Sequence, residues 1–335
     1  MQNQLNNLRK PFFILAPMDD VTDTVFRRMV HATAPADLYF TEFVNVDGLQ
    51  SVGRPNLLKK VRFTADEGPL ILQLWGKNPD NFRKTAEQVA DGSLAKELGL
   101  PDGINFAGID LNMGCPAKSE VKNGTCSALI KNRPLALDII NATKEGLAGK
   151  LPISVKTRVG FNEVDMTWIE FLLEQKLNML TIHGRTKKQM SKVPADWNLI
   201  GEGARLRDRI SPDTIIVGNG DVMNHQHGTD LAEKHGLDGI MIGRGIFQDP
   251  YAFAQQSPWK NIDRESRINL YKQHVTLFQQ QWQAGERPIH TLNKFCKVYI
   301  SDFDGAKELR EVLMAAESTD QLLDTLESEL SVQLA

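Results

Sequence analysis

Several residues in this sequence have a type and a setting suited to chemistry. Cys115 lies between Gly114 and Pro116, which bracket it on a tight turn. A thiol with a pKa near ~8.5 stays protonated at neutral pH and can donate to a developing carbanion. Lys156 closes the apolar run Ile153-Ser154-Val155, so its ammonium either snorkels to a surface or stands over a developing anion. Asn219-Gly220-Asp221 and Gly243-Arg244-Gly245 each end an apolar run. Glycine there lets backbone N–H groups approach an anion closely, and the Arg244 guanidinium or main chain can complete a phosphate cradle. Gln73 offers a donor and an acceptor, and His183 and Arg185 end another run. Taken singly these are ordinary features: a structural cysteine, tight strand turns, a polar strand cap, a satisfied histidine. Cys126 and Cys296 have no such frame and read as packing residues.

The elements that must position these residues are short apolar runs that recur along the chain. They are FFILAPM (12–18), LYFTEFV (38–44), LILQLWG (70–76), GIDLNMGC (108–115), PISVKTRVG (152–160), MLTIHGR (179–185), TIIVGNGDV (214–222) and GIMIGRG (239–245). Near-continuous hydrophobicity suits strands buried on both faces of a parallel sheet. Segments of helical period lie between them, clearly at 81–98, 133–148, 165–176 and 226–235. Eight strands alternating with helices predict an α/β fold, a (β/α)8 TIM barrel. An open doubly wound sheet would need an early G-x-G-x-x-G turn; Gly218-Asn219-Gly220 comes late and has Met223 where the third glycine would fall. Barrel enzymes build their sites at the C-terminal rim, and every residue singled out above lies at the end of a run. Beyond Asp249-Pro250 only helical pattern remains. The expected division is a catalytic barrel over 1–253 and an all-α domain over 256–335, joined through Ser257-Pro258.

Composition constrains the function classes. The 335-residue chain is 41% hydrophobic and 24% charged, with a formal net charge of −3, so a nucleic-acid partner would have to use a local basic patch. One candidate is 256–300, with seven Lys/Arg against three acids and with Tyr271, Trp282, Phe295 and Tyr299 interleaved; residues 316–335 carry five acids and no Lys or Arg. Lys294 and Lys297 are the candidates in this segment for meeting phosphates. Three scattered cysteines argue against a disulfide framework, a zinc site or an all-cysteine cluster, and point to a reducing, cytoplasmic setting with no metal. The polar N-terminus and the shortness of the 12–18 run predict neither a signal peptide nor a membrane span.

In order along the chain, Ala16-Pro17-Met18, Gln73, Asn112-Met113-Gly114-Cys115-Pro116, Lys156, His183, Asn219-Gly220-Asp221 and Gly243-Arg244-Gly245 resemble the motifs of the tRNA-dihydrouridine synthase family. The resemblance runs over the whole barrel. It implies an FMN-binding barrel that takes hydride from NADPH and reduces the C5–C6 bond of a tRNA uridine. By matching positions, Ala16, Pro17, Met18, Gln73, Lys156, His183, Asn219, Gly220, Asp221, Gly243 and Arg244 correspond to flavin contacts and Cys115 to the acid. Asn112 would meet the uracil edge, Arg185 would orient flavin or substrate, and the C-terminal helices would carry tRNA. A monomer is expected. Two departures are Cys126, where a small residue is expected, and an insertion-like stretch over 100–106. The alternatives are an FMN barrel reducing a free pyrimidine, which has no use for the basic helices, and a non-catalytic RNA-binding barrel, against which the intact motif set speaks.

Overall fold

The computed structural model describes residues 5–331; what is expected of residues 1–4 and 332–335 lies outside that range. Nine parallel strands form one sheet: β1 (Phe12–Leu15), β2 (Tyr39–Phe40), β3 (Val44–Asn45), β4 (Leu70–Trp75), β5 (Gly108–Met113), β6 (Ile153–Arg158), β7 (Met179–His183), β8 (Ile215–Asn219) and β9 (Gly239–Ile242). Pairing runs β1-β9-β8-β7-β6-β5-β4-β2, with β3 also on β4. Leu38 bridges to Ile14, its carbonyl accepting from Leu15 N at 3.1 Å, and brings the β2 segment back to β1. The result is the expected (β/α)8 barrel.

Strand side chains alternate sides, so each strand divides into an inward and an outward set. The outward set (Phe13, Leu15, Leu72, Leu111, Val155, Leu180) joins the core under the helices. The inward set (Phe12, Ile14, Ile71, Met179, Ile215, Met241) forms a second cluster inside the barrel. Going toward the strand C-termini, the inward positions turn polar: Ile71 gives way to Gln73, Met179 to Thr181 and His183, Val217 to Asn219. On β5 and β6 the inward residues are polar throughout, Asp110 and Asn112 against Ser154, Lys156 and Arg158. An apolar floor under a polar rim therefore follows from strand parity.

Two elements differ from the sequence expectation. The run 38–44 is two short strands, because Thr41 Oγ1 takes the Gln73 N–H at 3.1 Å and Glu42 turns away to an ion pair. The helix over 81–98 is two, Pro79–Ala90 and Ser93–Glu97, divided at Gly92, whose φ of 79° is left-handed. The stretch 100–106 carries no helix or strand; its Phe106 packs on Phe63 at 4.7 Å.

The last helices are Arg264–Gln281, Asn293–Tyr299, Ala306–Met314 and Thr319–Ser331. The first two lie against the barrel's first helix, Thr24–Thr33, where Phe26 stacks on Phe295 at 4.9 Å. Buried Arg287 pairs with Glu42 and lies 3.4 Å from Asp23. Among the described residues no helix is long and apolar enough to cross a membrane.

Helices Pro79–Ala90 and Arg133–Leu147 approach so closely that a Cβ on Gly146 would lie 2.3 Å from the Arg83 carbonyl oxygen and 2.8 Å from Ala86 Cβ. Gly146→Ala gains helix propensity of roughly 1 kcal/mol but forces these backbones apart. The expected net result is a loss of about 1–3 kcal/mol in denaturant unfolding, with the fold retained.

Candidate active site at the barrel rim

A cavity of about 420 Å³ opens at the C-terminal ends of the strands. Ala16, Pro17 and Met18 form one side, directly after β1. Asn219, Gly220 and Asp221 at the end of β8, with Gly243 and Arg244 after β9, continue the wall beside Lys156 and His183. The sequence-expected residues of five separate strand ends thus share one space. Val222, Met223, Gly245 and Gln248 also line it. The first three adjoin the glycine turns, whereas Gln248 carries no sequence signal.

The cavity is strongly cationic. Lys156 Nζ donates to Asn219 Oδ1 at 3.1 Å, and Asn219 Nδ2 is anchored on the Met241 carbonyl at 2.9 Å. Burial, followed by the neighbouring Arg158, lowers the Lys156 pKa to about 8. His183 lies well below its ordinary value, first through burial and then through the surrounding Arg158, Lys156, Arg185 and Arg244, so the imidazole is neutral at pH 7. Burial works against ionisation of Asp221, yet hydrogen bonds from Arg185 and Ala195 N and the charges of Arg185 and Arg244 hold its carboxyl below the usual range. The Arg244 side chain is 63% exposed and reaches Asp221 at 3.2 Å. A phosphate-sized anion fits this surplus of positive charge, with backbone N–H groups and Arg244 at its edge.

Arg185 is placed differently from an open RNA contact. It is only 3% exposed, and its guanidinium is engaged by Asp221, by the Val193 carbonyl at 2.5 Å and by His183 Nε2 at 3.2 Å. It is a fixed wall of the cavity. Lys294 and Lys297 lie outside the cavity on helix Asn293–Tyr299, both exposed. Lys294 Nζ reaches the Asp20 carbonyl, just past the Ala16–Met18 wall.

Gln73, Asn112 and Cys115 do not line the cavity; they belong to the adjoining rim. The Gln73 and Asn112 amides are bonded to one another, Asn112 Nδ2 to Gln73 Oε1 at 3.1 Å. Asn112 Oδ1 accepts from Gly114 N at 3.2 Å and Cys115 N at 3.0 Å, closing the turn that presents the thiol. Arg158, not singled out in the sequence, joins the two halves of the rim. Its Nε donates to the Gly114 carbonyl at 2.8 Å, and its Nη1 reaches the Thr186 and Met190 carbonyls at 3.2 and 3.1 Å. Its inward position two residues after Lys156 is the available signal.

Cys126, a packing residue by sequence, is buried beside the Cys115 turn, where the Cys115 carbonyl accepts from Ser127 N at 3.3 Å. Its φ of 54° is left-handed, unusual for a residue with a Cβ. The neighbouring Cys126 thiol lowers the Cys115 pKa to about 7, with burial opposing, while Cys126 itself is raised. Cys296 is buried far from this pair, and burial pushes it up to about 11.

Cys126→Ala removes the neighbouring thiol that stabilises the Cys115 thiolate. The pH midpoint for Cys115 alkylation by iodoacetamide, followed on its own peptide by mass, should rise from about 7 toward the ordinary ~8.5. A midpoint unmoved by the substitution would mean that the pair is not coupled.

The sequence model of the dihydrouridine synthase (Dus) family matches residues 14–334. A protein named probable tRNA-dihydrouridine synthase 2 of Bacillus subtilis (strain 168) is 42% identical over 332 residues, 97% of each chain. A probable tRNA-dihydrouridine synthase of Staphylococcus aureus (strain Mu50 / ATCC 700699) is 41% identical over 98% of this chain and 97% of its own. Among solved structures, histamine dehydrogenase from Rhizobium sp. 4-9 superposes with a TM-score of 0.50 at 11% identity, over 79% of this chain and 48% of that one, a likeness of fold alone. With the family's sequence pattern spanning nearly its full length, this chain belongs to the dihydrouridine synthase family.

Proposed function

We propose that this oxidoreductase reduces the C5–C6 bond of a uridine in tRNA, with FMN in the rim cavity, NADPH as the hydride source and Cys115 as the proton donor to C5. The observation that carries the reading is the convergence of the Ala16–Met18 wall, Lys156 and both glycine turns on one cavity, with the Cys115 turn beside it.

The residues present fit such a cofactor. The cavity is within the usual size of small-ligand sites. Gly220 has a φ of 132°, and a Cβ there would lie 2.5 Å from Ala195 Cβ, so only glycine keeps that turn in place. In register with Lys156, Thr181 has a buried hydroxyl with no partner among the described residues. The turns after β8 and β9, with Arg244, would hold the phosphate, and Lys156 would stand by the ring system. Bound there, a flavin would supply the hydride for C6 of the uracil. Lys156 contributes a fixed positive charge that stabilises anionic character nearby. Neutral His183 contributes a hydrogen-bonding group without a further charge. The proton for C5 comes from Cys115 Sγ, and the turn built on Asn112 holds that atom at the rim. Lys294 and Lys297 would meet tRNA phosphates beside the opening.

Cys115→Ala should fold, bind FMN and accept hydride from NADPH, because none of those steps uses the thiol. Reoxidation of its flavin by tRNA should slow by about 10²–10⁴-fold, the usual worth of a general acid. Since the acid form is lost as the thiol ionises, the wild-type rate of this step should fall as pH rises through about 7. Near wild-type reoxidation by the alanine variant would overturn the mechanism.

Lys294→Ala with Lys297→Ala should weaken tRNA binding and lower the salt slope by up to about one unit for each lysine that meets a phosphate. NADPH oxidation without tRNA should be unchanged. Equal affinity and slope in filter binding would move the RNA surface off this helix.

A further inference from the structure

Beneath the Cys115 turn, the barrel interior contains a chain of side-chain hydrogen bonds with a definite direction. Ser154 Oγ donates to Asp110 Oδ1 at 2.6 Å, and Gln73 Nε2 donates to Asp110 Oδ2 at 2.7 Å. Asn112 Nδ2 then donates to Gln73 Oε1 at 3.1 Å, leaving Asn112 Oδ1 to accept the Gly114 and Cys115 N–H groups. Asp110 and Gln73 are wholly buried and Asn112 is 7% exposed, so water does not share these bonds.

An amide can turn end over end with almost no change of shape, so its partners decide which end points where. The Asn112 amide has two backbone donors on one side, which require its oxygen there. Its nitrogen must then face an acceptor, which requires the Gln73 oxygen, and the Gln73 nitrogen must in turn face an acceptor. An ionised carboxylate meets that last demand without ambiguity, because it accepts and never donates. A buried carboxylate is costly, and Asp110 forms no ion pair within 4.0 Å among the described residues. Its two hydrogen bonds and the more distant Lys156 charge offset part of that cost. Nothing in the cavity or the thiol pair touches it, so the chain of bonds accounts for its place.

We propose that Asp110 is a positioning residue for the Cys115 turn: its carboxylate fixes the orientation of Gln73 and, through Gln73, of Asn112, which holds the Cys115 thiol against Cys126 at the rim. The effect on turnover rests on the reading of Cys115 as proton donor; the effect on the thiol does not. Gln73 and Asn112 are then parts of the frame on which the thiol is mounted, whatever else they touch.

The test exploits polarity at one bond. Burial pushes Asp110 up to about 6, with hydrogen bonds from Ser154 and Gln73 opposing, so at pH 8 it is ionised. Gln73→Glu sets two carboxylates face to face. Combined with Asp110→Asn it restores the bond with donor and acceptor exchanged, and the carboxylate introduced by Gln73→Glu still presents an oxygen to Asn112. Asp110→Asn alone is expected to be mild, because its amide can keep the oxygen toward Gln73 and the nitrogen toward Ser154.

FMN-loaded wild type, both single variants and the double variant are compared by Cys115 alkylation across pH and by single-turnover flavin reoxidation with tRNA. In Gln73→Glu the alkylation midpoint should rise by about one unit, as expected when the thiol leaves Cys126. Reoxidation should slow by about tenfold, the scale of one missing buried hydrogen bond. The double variant should return the midpoint to the wild-type value. A midpoint unmoved in Gln73→Glu, or not restored in a folded double variant, overturns the proposal. Should Gln73→Glu fail to fold, the double variant decides by itself: a wild-type midpoint supports the chain, and a displaced one overturns it. If the midpoint moves and returns while reoxidation by tRNA never changes, the positioning role stands and the proton-donor reading of Cys115 falls.

Discussion

A parallel sheet rolled into a ring leaves every second side chain of every strand facing a narrow interior, and that interior must be filled from wall to wall. In this chain the constraint sorts chemistry by height. Phe12, Ile14, Ile71, Met179 and Ile215 fill the lower levels. Higher inward positions on β4, β7 and β8 carry Gln73, Thr181 and Asn219, beside Asn112 and Lys156 from β5 and β6. Each polar residue is held by backbone ladders on both sides, which is the rigidity a site needs to hold its groups within fractions of an ångström. Function therefore sits at the top of the barrel because the lower levels are needed for packing.

Charge has a comparable logic. Lys156, Arg158, Arg185 and Arg244 crowd the rim, and their mutual repulsion is relieved at only a few points. Asp221 takes Arg185 and Arg244, while Asp110 lies below Lys156. His183 gives up its proton through burial first and then under the same charges. Arg158 is held by three backbone carbonyls and, among the described residues, pairs with no carboxylate, which leaves its charge uncancelled beside Cys115. The rim has a net positive potential in a partly dry cleft, where each charge acts more strongly than in water. Such a field favours anions in the cavity, and at Cys115 Arg158 adds a smaller share to the lowering that Cys126 causes. A thiol pKa of about 7 keeps the proton available near neutrality and makes its loss easy.

What can be read from the residues alone is whatever depends on local order. The apolar runs announce strands, their C-terminal ends mark the rim, and the two glycine turns stand out because close backbone approach leaves a compositional trace. Contacts between elements distant in sequence leave no such trace. Thr41 breaks the second strand by binding the Gln73 backbone, 32 residues away. Gln73 reads as a flavin contact but is bonded to Asp110, its register partner on the neighbouring strand β5. Arg185 reads as a group that orients flavin or substrate, and its hold on Asp221 is a contact that a run of residues ending in HGR cannot reveal. Cys126 is the sharpest case. Its departure from a small residue is visible, whereas its meaning depends on the turn between Pro116 and Thr125 that returns it beneath Cys115.

The same loop that walls the cavity also receives the C-terminal helices, and this ties the two parts of the molecule together. Residues 16–18 line the cavity, and a few positions later Asp20 and Asp23 meet Lys294 and Arg287. Arg287 sits nearly buried against Glu42, whose other oxygen accepts from Asp20 N at 2.7 Å. Burial raises Glu42 to about 7 even with the Arg287 charge opposing it. Buried ion pairs add little net stability, but they tolerate few alternative arrangements. An apolar contact alone would let the helices slide on Phe26. The Arg287 fork, matched to Glu42 and Asp23, allows one register. The exposed lysines of helix Asn293–Tyr299 are thereby held at a fixed distance from the cavity mouth, and a ligand bound across both would find its two contacts already aligned.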